Sequence, residues 1–287
     1  MKSVRCETKR FQIGAGIQIE ADFWGDLNDN TVILLHGGGQ TRHSWGSTAS
    51  DIAEKGWCAI SIDLRGHGRS SWAPNEEYGL DGFAGDIDSV IQEIGVSPVL
   101  VGASLGGLTG MYLEGYLRPN SLRSLVLVDI VPRMNRSGAE RVKSFMFEHL
   151  QTGFPSLEAA AKAISAYNPE REIPADLEGL KKNLHERDGR WFWHWDPAFL
   201  ETSNTKRRVD MQDSDFLHSL CLAITVPMLL VRGRLSDLVT EVEAREFLRE
   251  FPNAGYIDVS GAGHMVAGDK NDIFTKAVID FLDSAIH

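Results

Sequence analysis

Val99-Leu-Val-Gly-Ala-Ser-Leu-Gly-Gly107 runs from a short apolar segment straight into a serine with glycines on both sides. Gly102, Ser104 and Gly106 fit the pattern G-x-S-x-G, in which a serine sits on a strained turn between a strand and a helix. The residues two before and two after such a serine need almost no side chain, because the strand and helix backbones must approach closely there. A serine hydroxyl is a weak nucleophile until a base takes its proton, and the base needs a third group to fix its tautomer. The expected chemistry is therefore acyl transfer, provided the rest of the chain supplies a base, an acid and donors for a developing oxyanion.

Of the nine histidines, His264 is the expected base. It follows the last strand-like run in Gly261-Ala-Gly-His-Met265, where small neighbours let a loop deliver a ring to a crowded centre. His36, the first residue after its own apolar run, is the rival and is read as shaping a turn. His67, His149, His185, His194 and His218 are read as surface or structural, and His287 as a chain end. Asp237, at the mouth of the next-to-last strand, is the expected acid; its other reading is a helix cap before Glu241. Asp129, directly after an earlier strand, is the alternative acid. Asp63 is expected to hold its own loop together with Arg65 and His67. Oxyanion donors are expected from the amide of Leu105, the residue after the nucleophile, and from Gly38 in the run His36-Gly-Gly-Gly39, with Gly39 the next choice.

The elements that would carry these residues follow from periodicity. Ile17, Ile19, Ala21 and Phe23 alternate with polar residues, giving an edge hairpin over about 11–24. Short, largely apolar runs at Thr31–Leu35, Cys58–Ile62, Val99–Val101, Leu122–Val128 and Val226–Val231 suit strands buried on both faces. Helices are expected at Trp45–Lys55, at Phe83–Ile94 before Gly95, at Glu241–Glu250 and at Asp272–Ala285. From Pro132 to Leu220 no β run is apparent, and helical patterns at Leu157–Ala166 and Leu177–His185 suggest an inserted helical cap. The expected architecture is an α/β fold with a mostly parallel, doubly wound sheet, its core formed by residues 1–131 and 221–287 and its cap by 132–220.

Composition narrows the partners. At 287 residues with 43% apolar and 24% charged residues, the chain has ample length for one large core. A net charge of −11 argues against nucleic acid and anionic membrane, leaving a small-molecule substrate, with monomer or homo-oligomer left open. Cys6, Cys58 and Cys221 are odd in number and widely spaced, so neither a disulfide framework nor a metal site is expected. With no apolar segment behind the charged N-terminus, neither a signal peptide nor an anchor is expected, and the expected compartment is the cytoplasm. Gly102–Gly107 is followed by Leu108-Thr109 rather than a phosphate-binding lysine, and Gly14-Ala-Gly16 lacks the third glycine of a dinucleotide fingerprint, so no cofactor is expected.

His36-Gly-Gly-Gly39, Asp63-Leu-Arg-Gly-His-Gly-Arg-Ser70, Gly102-Ala-Ser-Leu-Gly106, Asp237 and Gly263-His264, in this order over most of the chain, resemble the α/β-hydrolase superfamily. Within it the sequence is similar to capped enzymes that include carboxylesterases, cofactor-free haloperoxidases (perhydrolases) and carbon–carbon bond hydrolases. Epoxide hydrolases and haloalkane dehalogenases share the framework but carry an aspartate nucleophile, against which Ser104 speaks. The resemblance implies a serine hydrolase acting on a carboxylic ester through Ser104, His264 and Asp237, with perhydrolysis or C–C cleavage as alternatives and a non-catalytic binding protein as a more distant one. In the cap, Trp191, Trp193 and Trp195 fall within five residues; they read either as the cap's own core or as supplying one or two rings, Trp193 first, that with Met265 line an apolar pocket in which Gln40 is a polar contact. The substrate expected from this is small to medium and largely apolar.

Overall fold

The computed structural model of the protein describes residues 4–74, 77–168, 176–201, 211, 213–264 and 271–285. Strands β1 (Cys6–Ile13) and β2 (Ile17–Trp24) form the edge hairpin. They are followed by β3 (Thr31–Leu35), helix α1 (Gly46–Glu54), β4 (Cys58–Ile62), α2 (Leu80–Ile94), β5 (Val99–Ala103), α3 (Leu105–Tyr112) and β6 (Ser124–Val128). After the intervening segment come β9 (Met228–Gly233), α7 (Glu241–Glu250), β10 (Gly255–Val259) and α8 (Asn271–Ala285). These strands make one eight-stranded sheet in the order β1-β2-β4-β3-β5-β6-β9-β10, in which the pairs from β4 to β10 are parallel. The doubly wound sheet expected from the sequence is the sheet observed.

Alternation within the apolar runs divides the core between the two faces, because successive strand side chains point to opposite sides. Ile33, Leu35, Ile60, Ile62, Leu100, Leu125, Leu127 and Leu230 join Phe83 and Ile87 of α2 and Met111 of α3 on one side. Val32, Leu34, Val99, Val101, Val126, Val128 and Val231 join Ile52 of α1 and Phe274, Val278 and Leu282 of α8 on the other. Each fully buried aliphatic side chain contributes about 1.5–3 kcal/mol, so the central strands β3, β4, β5, β6 and β9 are held from both faces and their C-terminal ends form a fixed platform. Gly95 ends α2 in the left-handed region (φ 72°), and a capping box between Thr240 and Glu243 starts α7.

The segment between β6 and β9 departs from the expected all-helical cap. Helices α4 (Arg136–Phe147) and α5 (Leu157–Tyr167) are followed by a short 3₁₀ turn at Glu178–Lys182 and by an antiparallel hairpin of β7 (Leu184–Arg187) and β8 (Arg190–Trp193). The expected helix over Leu177–His185 is thus mainly the 3₁₀ turn, with Leu184 and His185 already in β7. In the hairpin Leu184 faces Trp193 across the pair while Asp188-Gly189, both at positive φ, make the reversal. Helix α6 (Ser214–Ala223) runs through the expected cap boundary at 220/221 and packs on the main core through Leu217, Leu220 and Cys221. Among the described residues no helix is long and apolar enough to cross a membrane.

Candidate active site

Ser104 lies between β5 and α3 with φ 46° and ψ −110°, a backbone conformation that a non-glycine residue adopts only under constraint. The constraint comes from both sides. A methyl group on Gly102 would land on the backbone of Gly106, and one on Gly106 would sit 2.5 Å from the Leu35 carbonyl oxygen. The Ser104 amide also donates to Val128 O of β6 at 3.1 Å. The turn therefore projects the serine clear of the sheet edge at the N-terminus of α3.

Because Ala103 pairs with Val128 across β5 and β6, the next residue on each strand, Ser104 and Asp129, stand side by side beyond the sheet edge. Asp129 is fully buried and also held at positive φ (50°). Its Oδ2 accepts a 2.7 Å hydrogen bond from His264 Nδ1 and a 2.6 Å bond from the Ser236 hydroxyl, and its Oδ1 accepts from the Gly233 amide at 3.1 Å. A carboxylate accepting at Nδ1 places the ring proton there and leaves Nε2 as the basic nitrogen. Asp237, the acid expected from the sequence, is not the partner of His264. Its carboxylate is about one-third exposed and accepts from Arg141 Nη1 of α4 at 2.6 Å. In the turn after β9 it is Ser236 that points inward, and the next side chain, Asp237, points out. The structure therefore brings together His264 and the alternative acid, Asp129.

The glycine loop after β3 is fixed by three neutral donors and acceptors. Gln40 Oε1 accepts from Gly37 N at 3.1 Å, so Gln40 holds the loop, a role nearer the backbone than the substrate contact expected of it. His67 Nε2 accepts from Gly39 N at 3.1 Å while its Nδ1 bonds to Arg65 O at 3.0 Å. His36 Nε2 accepts from Leu64 N at 3.0 Å and its Nδ1 bonds to Gly37 O, the turn-shaping role read from its position. Burial, followed by the neighbouring His36 ring, pushes His67 down to about 3, and burial pushes His36 down to about 4, so both rings are neutral and can accept. With the amides of Gly37 and Gly39 occupied, those of Gly38 and Leu105 have no acceptor among the described residues; Leu105 N is the first of its helix, where no intrahelical partner exists. A methyl on Gly37 would lie 3.4 Å from Ser104 Cβ, which puts the loop beside the serine.

Asp63 holds its own loop, as expected, through Arg69 N, but its ion-pair partner is Arg42 and not Arg65. It accepts from Arg42 N (2.7 Å), Arg42 Nη1 (2.5 Å) and Arg69 N (2.9 Å), while Arg65 turns away to a two-pronged pair with Asp86. Arg42 itself is buried among Asp63, Asp22 and Glu20.

Cap residues wall the loop. A methyl at Gly38 would be 3.4 Å from the Phe199 ring, and one at Gly39 would be 3.1 Å from Met146 Cε and 3.4 Å from Trp195 Nε1. Trp193 packs edge-on against Phe154 (5.2 Å between centroids) in the cap's own small core and also borders the main cluster that holds Met146, Trp195 and Phe199, and Met265 lies outside the described residues. Phe199, Met146 and Ser236 carried no signal in the sequence, since an apolar or hydroxyl residue acquires such a role only through its neighbours. Among the described residues no group of three or more His, Cys, Asp or Glu could hold a metal ion.

Comparison with known proteins decides the family: residues 30–270 match the family model described as alpha/beta hydrolase fold. The chain belongs to the α/β-hydrolase family. An esterase of Mycobacterium tuberculosis is 31% identical to this α/β-hydrolase over 97% of the chain and 90% of its own length, and a crystal structure of a Mycobacterium tuberculosis esterase superposes with a TM-score of 0.74 over 97% of this chain and 92% of that one. A non-heme chloroperoxidase of Kitasatospora aureofaciens is 27% identical over 93% of this chain and 97% of its own. The crystal structure of an E-2-(acetamidomethylene)succinate hydrolase shares the fold with a TM-score of 0.82 at 23% identity, covering 97% of this chain and all of that one.

Proposed function

We propose that this α/β-hydrolase cleaves carboxylic esters through an acyl-enzyme, with Ser104 as nucleophile, His264 as base and Asp129 as the group that orients and charge-stabilises His264. The observation that carries the reading is the 2.7 Å bond from His264 Nδ1 to a buried Asp129 that stands one strand over from the left-handed Ser104. His264 Nε2 takes the Ser104 proton as Oγ attacks the ester carbonyl, and the amides of Gly38 and Leu105 receive the oxyanion. The same proton then passes to the departing alkoxide, leaving the acyl group on Ser104. Water, deprotonated by His264, attacks this acyl-enzyme and releases the acid and free serine. The likeness to an esterase at 31% identity supports ester hydrolysis as the reaction. The walls of Phe199, Met146 and Trp195 over the glycine loop support a small to medium, largely apolar acyl group.

A fluorophosphonate probe tests the assignment. Labelling should fall on Ser104 by mass spectrometry, and hydrolysis of p-nitrophenyl esters should disappear in step with labelling. An unlabelled Ser104 in folded protein would leave only ligand binding. The likeness to a chloroperoxidase favours one second reading, in which peroxide replaces water as acyl acceptor; peroxide-dependent halogenation outrunning ester hydrolysis would establish it.

The pocket wall gives a further expectation. Met146, buried and against Gly39, is the side chain whose shortening lengthens the acyl site. Met146→Ala should move the preferred p-nitrophenyl ester toward longer chains, changing the ratio of kcat/KM between adjacent chain lengths by about tenfold. An unchanged chain-length profile would place the acyl chain elsewhere.

A further inference from the structure

We infer that Ser236 is a positioning residue of the catalytic centre, a fourth member that fixes the carboxylate of Asp129. The inference rests on the Ser104–His264–Asp129 reading and goes one shell beyond it. The Ser236 hydroxyl is buried and makes three contacts: it accepts from the amides of Leu238 and Val239, both at 3.2 Å, and it lies 2.6 Å from Asp129 Oδ2. Two accepted bonds occupy both lone pairs of a hydroxyl, so its one proton can point only at the carboxylate. Each accepted N–H polarises the O–H in the same direction, which strengthens the bond it gives. Oδ2 thus receives two short bonds, from Ser236 and from His264, while Oδ1 is held by Gly233 N.

With all three donors in place the carboxyl plane cannot rotate, and the His264 ring is aimed by a fixed acceptor rather than a swinging one. The same turn sends the next side chain, Asp237, outward to Arg141 of the cap, while a methyl on Gly138 of α4 would strike the Asp237 carbonyl. Ser236 therefore sits one residue from the cap's anchor on the core, with its hydroxyl on the catalytic acid.

Kinetics and NMR of Ser236→Ala, Ser236→Cys and Ser236→Thr, in enzyme first shown to carry an active Ser104, test the inference. Ser236→Ala should lower kcat about tenfold to a hundredfold with KM within about twofold, and should shift the low-field proton resonance of His264 Nδ1–H, assigned through its loss in His264→Gln. Ser236→Cys, which keeps the size but offers only a weak donor, should follow alanine. Ser236→Thr, which keeps the hydroxyl, should restore both kcat and the resonance. A wild-type enzyme without labelling at Ser104 would sink the underlying reading and not this one. The Ser236 inference is itself overturned if kcat and the resonance stay unchanged in Ser236→Ala. It is equally overturned if kcat falls with the resonance unmoved and thermal stability lost in parallel, since Ser236 would then only close its turn.

Discussion

Asp129→Asn is expected to lower kcat by about 10⁴-fold, whereas Asp237→Asn is expected to stay within about fivefold of the wild type. An asparagine at 129 keeps the shape but puts an NH₂ where a carboxylate oxygen accepted. Three donors, from Gly233 N, Ser236 Oγ and His264 Nδ1, already converge on that side chain. One of its two faces must now meet a donor with a donor. If the NH₂ turns to His264, the ring is driven to the other tautomer, its proton moves to Nε2, and the nitrogen needed to take the Ser104 proton is no longer basic. Asp237 has no such stake: its partner is Arg141, both side chains are a third or more exposed, and such pairs are worth about 0–1 kcal/mol. Steady-state rates on one p-nitrophenyl ester, with thermal midpoints showing both variants folded, compare the two directly. A greater loss in Asp237→Asn would reverse the assignment of the acid.

The contrast between these two aspartates shows where sequence reading stops. Both follow a strand whose C-terminal end reaches the site, and spacing alone ranks Asp237 first. What separates them is the direction of one side chain in a tight turn: Ser236 faces in and Asp237 faces out. That direction is set by the amides of Leu238 and Val239 folding back on the Ser236 hydroxyl, an arrangement with no periodic trace. The strained turn at Ser104 and the placement of His264 after the last strand were legible because glycine spacing and position after a strand are local signals. The sheet was legible for the same reason, since short, largely apolar runs of about five residues between turn signals have few other uses. The cap hairpin was not: Arg190-Trp-Phe-Trp193 is too short to show alternation, and its tryptophans read equally well as a packed cluster. The loop-holding role of His67 was half legible, a histidine among glycines after a strand, but its acceptor role required seeing Gly39 N aimed at Nε2.

That role has a consequence for the whole molecule in acid. Three rings, His36, His67 and His194, each accept a backbone N–H through a bare nitrogen, from Leu64, Gly39 and Gly68 respectively. Burial pushes them down to about 4, about 3 and about 2, with the mutual repulsion of the rings adding for His67 and His194. In the unfolded chain each titrates near 6.5. Between about pH 6 and pH 4 the unfolded chain thus binds up to three more protons than the native protein at these positions, so stability is full above pH 6.5 and falls as pH drops. The slope approaches about 4 kcal/mol per pH unit, the value for three protons. His43, also lowered by burial, adds in the same sense, and Asp86, raised by burial, opposes it. Urea midpoints measured from pH 7.5 to 5 should fall steeply below pH 6.5. In His67→Gln, whose amide oxygen can still accept from Gly39 N, the slope should flatten by about one proton, or 1.4 kcal/mol per pH unit. An unaltered slope in that variant would mean that His67 takes up its proton in the folded state, and the glycine loop would then have to be held by something other than a neutral ring.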